Sequence, residues 1–337
     1  MKAFVVDRYK KNADLRAAEV PAPVVGDSDV LVAVHAAGVN LLDAKIRDGE
    51  FKLVLKYGLP LILGNDLAGV VERVGPRVSK FKVGDQVYAR PDKDRIGTFA
   101  EFIAVDEKDL ALKPVSLSME EAAAVPLVAL TAWQALVDIA DVKPGQRVFI
   151  QAGTGGVGTI AIQLAKHLGA TVATTCSAQS FDLVKSLGAD VVIDYKTQDF
   201  GKILHDYDVV VHSQDSSELA KSLRVLKRGG QVISISGPPD HHFGQEVGAA
   251  WPVSVLLRMM SVGVRRKARK LGVEYSFPFM KADGAELQAI ADLIDRGVIR
   301  SVVDSVFPFG RTDEAIARVA DGHAKGKVVI TVAGATS

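Results

Sequence analysis

The residues best suited to chemistry lie in the stretch FIQAGTGGVGTIAIQLAKHL, which starts at Phe149. Gly153, Gly155 and Gly158 keep a G-x-G-x-x-G spacing, with Gly156 and Val157 filling the last gap. Such a turn lets backbone approach a pyrophosphate, and a helix starting there presents N–H groups and the positive end of its dipole. The spacing alone is weak, and its surroundings make it specific. An apolar run, RVFIQA, precedes it, and Ile160, Ala161, Leu164, Ala165 and Leu168 follow on one helical face. The alternative is an ordinary strand-to-helix turn; the reading adopted is a dinucleotide site.

Which dinucleotide depends on the end of the next strand, about 20 residues on, where an NAD site places a carboxylate on the ribose 2′-hydroxyl. Here the chain reads Thr174, Thr175, Cys176, Ser177, Ala178, Gln179, Ser180, and no carboxylate comes before Asp182. A carboxylate would repel a 2′-phosphate, whereas hydroxyls donate to it. Ser177 and Ser180 are therefore candidate phosphate ligands, and NADPH is expected over NADH. No arginine stands in that loop, so the preference rests on donors and missing repulsion.

The elements that must hold this turn follow from hydrophobic period. From Arg147 to about Met280, apolar runs (RVFIQA, TVATTC, DVVI, DVVVH, QVISIS, VEYSFPFM) alternate with amphipathic ones (TIAIQLAKHL, SFDLVKSLG, ELAKSLRVLK). That alternation predicts a doubly wound parallel sheet. Before it, KAFVVDR, DVLVAVHAAGV, LAGVVERV, DQVYARP and TFAEFIAV are short β-type runs divided by turns, as in a partly closed barrel or sandwich. One helical insertion, LLDAKIRDGEFK, interrupts them. SMEEAAAVPLVALTAWQALVDIA opens with Ser118 and Glu121 at capping-box spacing and predicts a helix kinked at Pro126.

A chain of 337 residues suggests two domains. Its net charge of +1 supplies no global field for nucleic acid or an anionic membrane. The apolar run from Ala122 is too short to span a bilayer, and the opening MKAFVVDRY reads as a strand, so a cytoplasmic protein is expected. A single cysteine, Cys176, excludes an internal disulfide and a multi-cysteine zinc cluster. It reads as a core residue or as a redox thiol.

AAGVNLLDAKIRDG, LILGNDLAGVVERVG, VGDQVYA, GTFAEF, AAAVPLVALTAWQAL, the AGTGGVG turn, KSLGADVVIDYKT and DGHAKGKVVI together carry a family likeness. Over nearly its whole length the chain resembles the medium-chain dehydrogenase/reductase superfamily, in its zinc-free quinone oxidoreductase branch. It looks most like the NADPH-dependent alkenal/enone oxidoreductases. The resemblance implies an α/β fold: a GroES-like, mainly β catalytic domain (1–117 and 281–337) with a Rossmann NADPH-binding domain (118–280) inserted. It also implies a homodimer, for which the edge strand VEYSFPFM is the candidate seam.

Zinc-dependent members place a cysteine where Asn40 stands and a His-Glu pair where Asn65-Asp66 stands. They also carry four cysteines after the segment that reads VGDQVYA here, where this chain has none. An amide is a poor zinc ligand, and Asp66 alone cannot hold the ion, so neither metal site is expected. Alcohol oxidation needs Lewis-acid help for the alkoxide. A conjugated enone, enal or quinone does not, since charge spreads onto its carbonyl oxygen, where hydrogen-bond donors suffice. A rival reading is an NADPH-binding regulatory protein without catalysis.

The resemblance implies the site residues. Asn40 and Lys45 line the nicotinamide pocket, with Lys45 on the nicotinamide ribose or the substrate oxygen, and Tyr57 flanks the substrate. Quinone oxidoreductases often have tyrosine where Lys45 stands. The plain alternatives are a turn-capping Asn40, a solvated Lys45 and a surface Tyr57. Thr131 approaches the nicotinamide, Tyr195 the adenosine 2′-phosphate and Lys327 the phosphates. Ser213 and Ser236-Gly237 end strands on the carboxyl edge of the sheet. Tyr195 and Lys327 each have core-edge packing or surface charge as the plain alternative.

The segment from 238 to 271 is too long for a plain connection. Its Trp251, Leu256, Leu257, Met259 and Met260 read either as a packed helix or as an apolar roof over the substrate. The run VRRKARK from Val264 lacks interleaved aromatics and reads as a solvated helix face, not a nucleic-acid site. Adjacent His241 and His242 point opposite ways in an extended segment and make no metal pair.

Overall fold

Ser118 and Glu121 form the expected capping box: the Ser118 hydroxyl accepts from Glu121 N at 3.1 Å and the Glu121 carboxylate from Ser118 N at 2.9 Å. The expected kinked helix is nevertheless two helices, because Pro126 opens a new one instead of bending the old. The computed structural model describes residues 1–240 and 242–332; His241 and the last five residues lie outside them.

The elements run β1 (Lys2–Val6), β2 (Arg16–Glu19), β3 (Asp29–Val39), α1 (Leu41–Asp48), β4 (Leu61–Ile62), β5 (Asp66–Val74) and β6 (Gln86–Ala89). Next come β7 (Phe102–Asp106), β8 (Leu110–Leu112), α2 (Met119–Ala123), α3 (Pro126–Trp133), β9 (Arg147–Ile150), α4 (Gly156–His167) and β10 (Thr171–Cys176). They continue as α5 (Phe181–Ser186), β11 (Val191–Asp194), α6 (Phe200–Ile203), β12 (Tyr207–His212), α7 (Ser216–Val225) and β13 (Leu226–Ser234). The last are α8 (Phe243–Glu246), α9 (Trp251–Met260), α10 (Val262–Leu271), β14 (Glu274–Ser276), α11 (Gly284–Asp295), β15 (Val303–Pro308), α12 (Thr312–Ala320) and β16 (Lys327–Thr331).

These make two units: a split one, Met1–Leu130 with Lys281–Ser337, and a continuous one, Thr131–Met280. The first boundary falls after Leu130 and not at 118 as expected, because α2 packs its buried Ala122 and Ala123 on β3 and β5. In the split unit a seven-stranded sheet runs β15-β16-β3-β5-β6-β8, with β7 also paired to β3. β3 bends at two irregularities, letting its first half pair with β7 and its second with β16. A small sheet, β2-β1-β4, completes this GroES-like part.

The continuous unit is a wholly parallel sheet in the order β11-β10-β9-β12-β13-β14, the doubly wound order expected. Its core joins Phe149, Tyr207, Val210, Leu223, Val232 and Ala268, with Phe149 and Phe200 rings 4.8 Å apart. VEYSFPFM forms only the three residues of β14 before Pro278 ends the run. Of the two readings for 251–260, the packed helix does not hold: of α9's ten residues only Leu257 is buried.

Candidate active site

In the continuous unit the strand order reverses between β9 and β12, and ligands of such sheets bind beyond the carboxyl ends at that point. The glycine turn lies there. Gly153 N donates to Thr175 O at 2.9 Å, and a Cβ on Gly153 would meet Thr174 Oγ1 at 2.2 Å. A Cβ on Gly158 would meet Ala152 O at 2.3 Å, so only glycine lets α4 start this close to the strand end. Ala152 takes a left-handed backbone, φ 51°, to make the corner. α4 therefore begins at Gly156, and the N–H groups of its first turn, Val157 and Gly158 included, have no partner within the helix. That is the cradle a pyrophosphate fits.

Ser213 and Ser236-Gly237 lie past the carboxyl ends of β12 and β13. Ser213 follows β12, its hydroxyl donating to Gln151 O at 3.3 Å across the switch point. Ser236 is exposed beyond β13 and donates to Gln214 O at 2.6 Å. Gly237 N donates to the Ser234 hydroxyl at 2.8 Å, and that oxygen lies 2.8 Å from His212 Nδ1. His212 is fully buried, and burial holds its pKa below the ordinary value, so the ring is neutral. Its Nε2 faces Asp215 O at 3.1 Å and must carry the proton, which fixes the direction of the whole chain. Thr131 is buried on α3.

At the ends of β10 and β11, Tyr195 is 60% exposed and its N–H donates to Cys176 O, which sets Tyr195 beside Ser177. Ser177 is half-buried, but Ser180 is only 3% exposed. Ser180 is thus a correction: the turn after β10 tucks it inwards, and Ser177 is the hydroxyl presented. The exposed Lys196, a cation, follows Tyr195 directly. Its signal in the sequence is the IDYKT stretch at the end of β11, one strand beyond the glycine turn's neighbour β10.

The split unit holds a buried polar knot. Lys327, on β16, donates to Asp66 Oδ2 at 2.9 Å and also to Asn40 Oδ1. Asn40 Nδ2 donates to the same Asp66 oxygen at 2.8 Å, and Leu127 N to the other at 2.7 Å. Asp43 accepts from Asn40 N and from Asn65 Nδ2, each at 2.7 Å. Asp43, Asn65 and Asp66 are wholly buried, Lys327 and Asn40 nearly so. Burial pushes the Asp43 carboxyl up to about 6 against its two hydrogen bonds and the Lys327 charge, which pull it down. Asn65 Oδ1 has no partner.

Two expectations change here. Lys327 does not reach for phosphates; β16 lies between β15 and β3, so its ammonium turns onto Asp66 and Asn40. The Asn40 amide, expected near the nicotinamide, is committed on both atoms inside the knot. Asp43 was missed, although its place three residues after Asn40, at the start of α1, was a capping signal. Lys45 stays more available: its ammonium is about a third exposed and 3.9 Å from Glu50. Tyr57 donates its hydroxyl to Lys93 O at 2.7 Å, and burial pushes its pKa upwards against the pull of Arg90. Arg90 is itself buried, with no partner for its Nε.

The knot contains Asn40, Asn65 and Asp66, the positions at which the family resemblance puts the ligands of zinc-dependent members. Its groups are two amides, two carboxylates, one of them already bonded to a lysine, and an ammonium. That set does not fit zinc. Among the described residues no group of three or more His, Cys, Asp or Glu could hold a metal ion. No described helix is long and apolar enough to cross a membrane.

Residues 26–115 match the model of the alcohol dehydrogenase GroES-like domain, and residues 187–330 that of a zinc-binding dehydrogenase. Human mitochondrial NAD(P)H oxidoreductase RTN4IP1 is 35% identical, over 98% of this chain and 89% of its own length. The chloroplastic NADPH-dependent alkenal/one oxidoreductase of Arabidopsis thaliana is 34% identical over 98% of this chain and 79% of its own. The quinone oxidoreductase structure from Coxiella burnetii superposes with a TM-score of 0.87 at 29% identity, covering 99% of both chains. A mycobacterial structure complexed with NADPH gives 0.82 at 27% identity, covering 98% of this chain and all of that one. With a glycine cradle in one unit, a GroES-like sheet in the other and relatives aligned through both, the chain belongs to the quinone oxidoreductase branch of the medium-chain dehydrogenase/reductase superfamily and is an oxidoreductase that uses NADP(H).

Proposed function

We infer that this protein reduces the C=C bond of small α,β-unsaturated aldehydes and ketones with NADPH and without a metal. The observation that carries the reading is the knot around Lys327, whose fixed ammonium fills the place of a Lewis acid but is shut away from any substrate. When bound, NADPH supplies the hydride. The chain has only to hold, orient and stabilise, and a conjugated acceptor asks for no more.

In this reading the turn at Gly153, Gly155, Gly156, Val157 and Gly158 holds the pyrophosphate. Ser177, Tyr195 and Lys196 hold the 2′-phosphate, with Ser180 packed beneath. Ser213, Ser236 and Gly237 border the carboxyl edge, and Thr131 serves the nicotinamide side. Lys45 donates to the substrate carbonyl oxygen or the nicotinamide ribose. The ring of Tyr57 flanks the substrate while its hydroxyl stays on Lys93 O. Asn40 and Lys327 are positioning residues that fix the start of α1, and through it Lys45. Saturation leaves one proton for the α-carbon, taken from water.

Quinone reduction is the second reading. Lys45 favours the first, standing where quinone oxidoreductases often have tyrosine. The relative named an alkenal/one oxidoreductase and the tomato 2-methylene-furan-3-one reductase, 35% identical over 92% of this chain, also support it. A homodimer belongs to the same reading, since among the described residues no strand covers the outer edge of β14. So does a cytoplasmic site, which cell fractionation can check against the mitochondrial and chloroplast addresses of relatives.

The test is NADPH consumption against acrolein, pentenone, naphthoquinone and a saturated aldehyde, with product analysis. Saturated carbonyl products are expected. Turnover of naphthoquinone alone would transfer the assignment to quinones, and activity lost to a chelator and restored by zinc would end the metal-free reading.

A further inference from the structure

The apolar residues of α9 recur at 251, 252, 255, 256, 259 and 260, a four-residue spacing that puts them on one face. That face looks into solvent: Trp251 is 77% exposed, Met259 64%, Met260 56%, Leu256 53% and Val255 46%. The opposite side holds the helix down. Leu257 is buried there, and α8 lies so close that a Cβ on Gly244 would meet Ser254 Oγ at 2.6 Å. Scattered exposed apolar residues need no explanation, but a contiguous stripe with a tryptophan does.

The stripe comes with charge. α10 follows after one residue, and Arg265 fixes the joint by donating to Arg258 O at 3.0 Å and to Ser261 Oγ at 3.2 Å. Val264 and Ala268 turn α10 inwards onto the sheet core, leaving Arg266, Lys267, Arg269 and Lys270 exposed. Between Val247 and Val273 there are six Lys or Arg (258, 265, 266, 267, 269 and 270) and no Asp or Glu, in a chain whose net charge is only +1.

We propose that α9 and α10 dock this protein on an anionic lipid surface, with the α9 stripe in the headgroup boundary and the α10 cations on the headgroups. An apolar stripe with tryptophan beside a basic face is the signature of a helix pair lying in that interface. Anionic headgroups complement the exposed cations of the segment. A second copy of this chain would bring the same positive excess and leave it unbalanced. The proposal does not depend on which acceptor the enzyme reduces.

The full chain with NADPH bound is sedimented with phosphatidylcholine vesicles, with and without phosphatidylglycerol. Binding only to the anionic vesicles, released by salt, is expected, with a blue shift in tryptophan emission. Each cation near such a surface contributes about a fivefold gain in partitioning, so R266E/K270E should weaken binding by roughly 30-fold or more. W251S should abolish the blue shift and weaken binding. Both variants keep their circular dichroism and their turnover of a soluble enone. Equal binding to neutral vesicles, or none to either, overturns the proposal. So does a dimer in vesicle-free light scattering that W251S disperses, which gives the stripe to a second copy.

Discussion

Replacing Lys327 by methionine tests the knot of the split unit most directly. The ammonium is 6% exposed, its partner Asp66 is fully buried, and the two lie 2.9 Å apart. Methionine keeps the apolar stem and deletes the charge. The Asp66 carboxylate is then left with Asn40 Nδ2 and Leu127 N as donors, and Asn40 Oδ1 loses its partner. Breaking one partner out of a buried pair costs about 3–5 kcal/mol, against about 0–1 for an exposed pair. The two remaining donors argue for the lower end, near 3 kcal/mol. Asp66→Asn alone strands the ammonium instead and should cost a similar amount. The double variant K327M/D66N carries no stranded charge, so it should cost less than the sum of the singles by about 2 kcal/mol or more. The assay is urea unfolding by far-ultraviolet circular dichroism. Trp133 and Trp251 both lie in the continuous unit, so their fluorescence serves as the internal reference. A K327M cost below about 1 kcal/mol, or additive singles, would refute the reasoning.

Further outcomes are expected elsewhere. Gly158→Ala forces a Cβ against Ala152 O and Gly153 Cα at 2.3 and 2.8 Å, both backbone; a cost of about 1–3 kcal/mol should appear as a roughly 5–150-fold weaker NADPH Kd, and an unchanged Kd would contradict the cradle. His212 has a folded pKa below its unfolded one, so its contribution is whole above the ordinary value of 6.5 and is lost as pH falls below it. Asp43 is raised from 3.8 to about 6, so its contribution is whole below 3.8 and is lost as pH rises through about 6. Between those limits the two residues push stability in opposite directions, and urea midpoints of D43N and H212Q across pH, each against the parent, should show slope changes of opposite sign. Lys45→Met should lower kcat with enones while leaving NADPH affinity within about twofold, the mark of a group acting in the transition state and not in cofactor binding; unchanged kcat would return Lys45 to the solvated surface.

The continuous unit was legible because its signals are local. RVFIQA, TVATTC, DVVVH and QVISIS are runs that the parallel sheet buries on both faces, and the glycine spacing falls between one of them and an amphipathic helix. The knot was not legible, because nothing near Lys327 announces partners 261 and 287 residues away. Local propensity also misplaced Ser180, which looked like any loop hydroxyl until the turn carried it inside. The α9 stripe shows the reverse failure: apolar periodicity predicts a face that must be covered, and the fold supplied no cover. Pro126 reads in the sequence as a kink but starts a new helix, and Pro278 cuts VEYSFPFM short although that run reads as one strand.

β16 fills the gap between β15 and β3, so the split unit is woven from both sides of the continuous one. During translation this imposes a calendar. The nucleotide-binding sheet has all six strands in hand while β3 is still waiting for a neighbour more than 280 residues downstream. Until that neighbour emerges, Asp66 and Asn40 face an open slot, since the cation that closes it comes 261 and 287 residues after them.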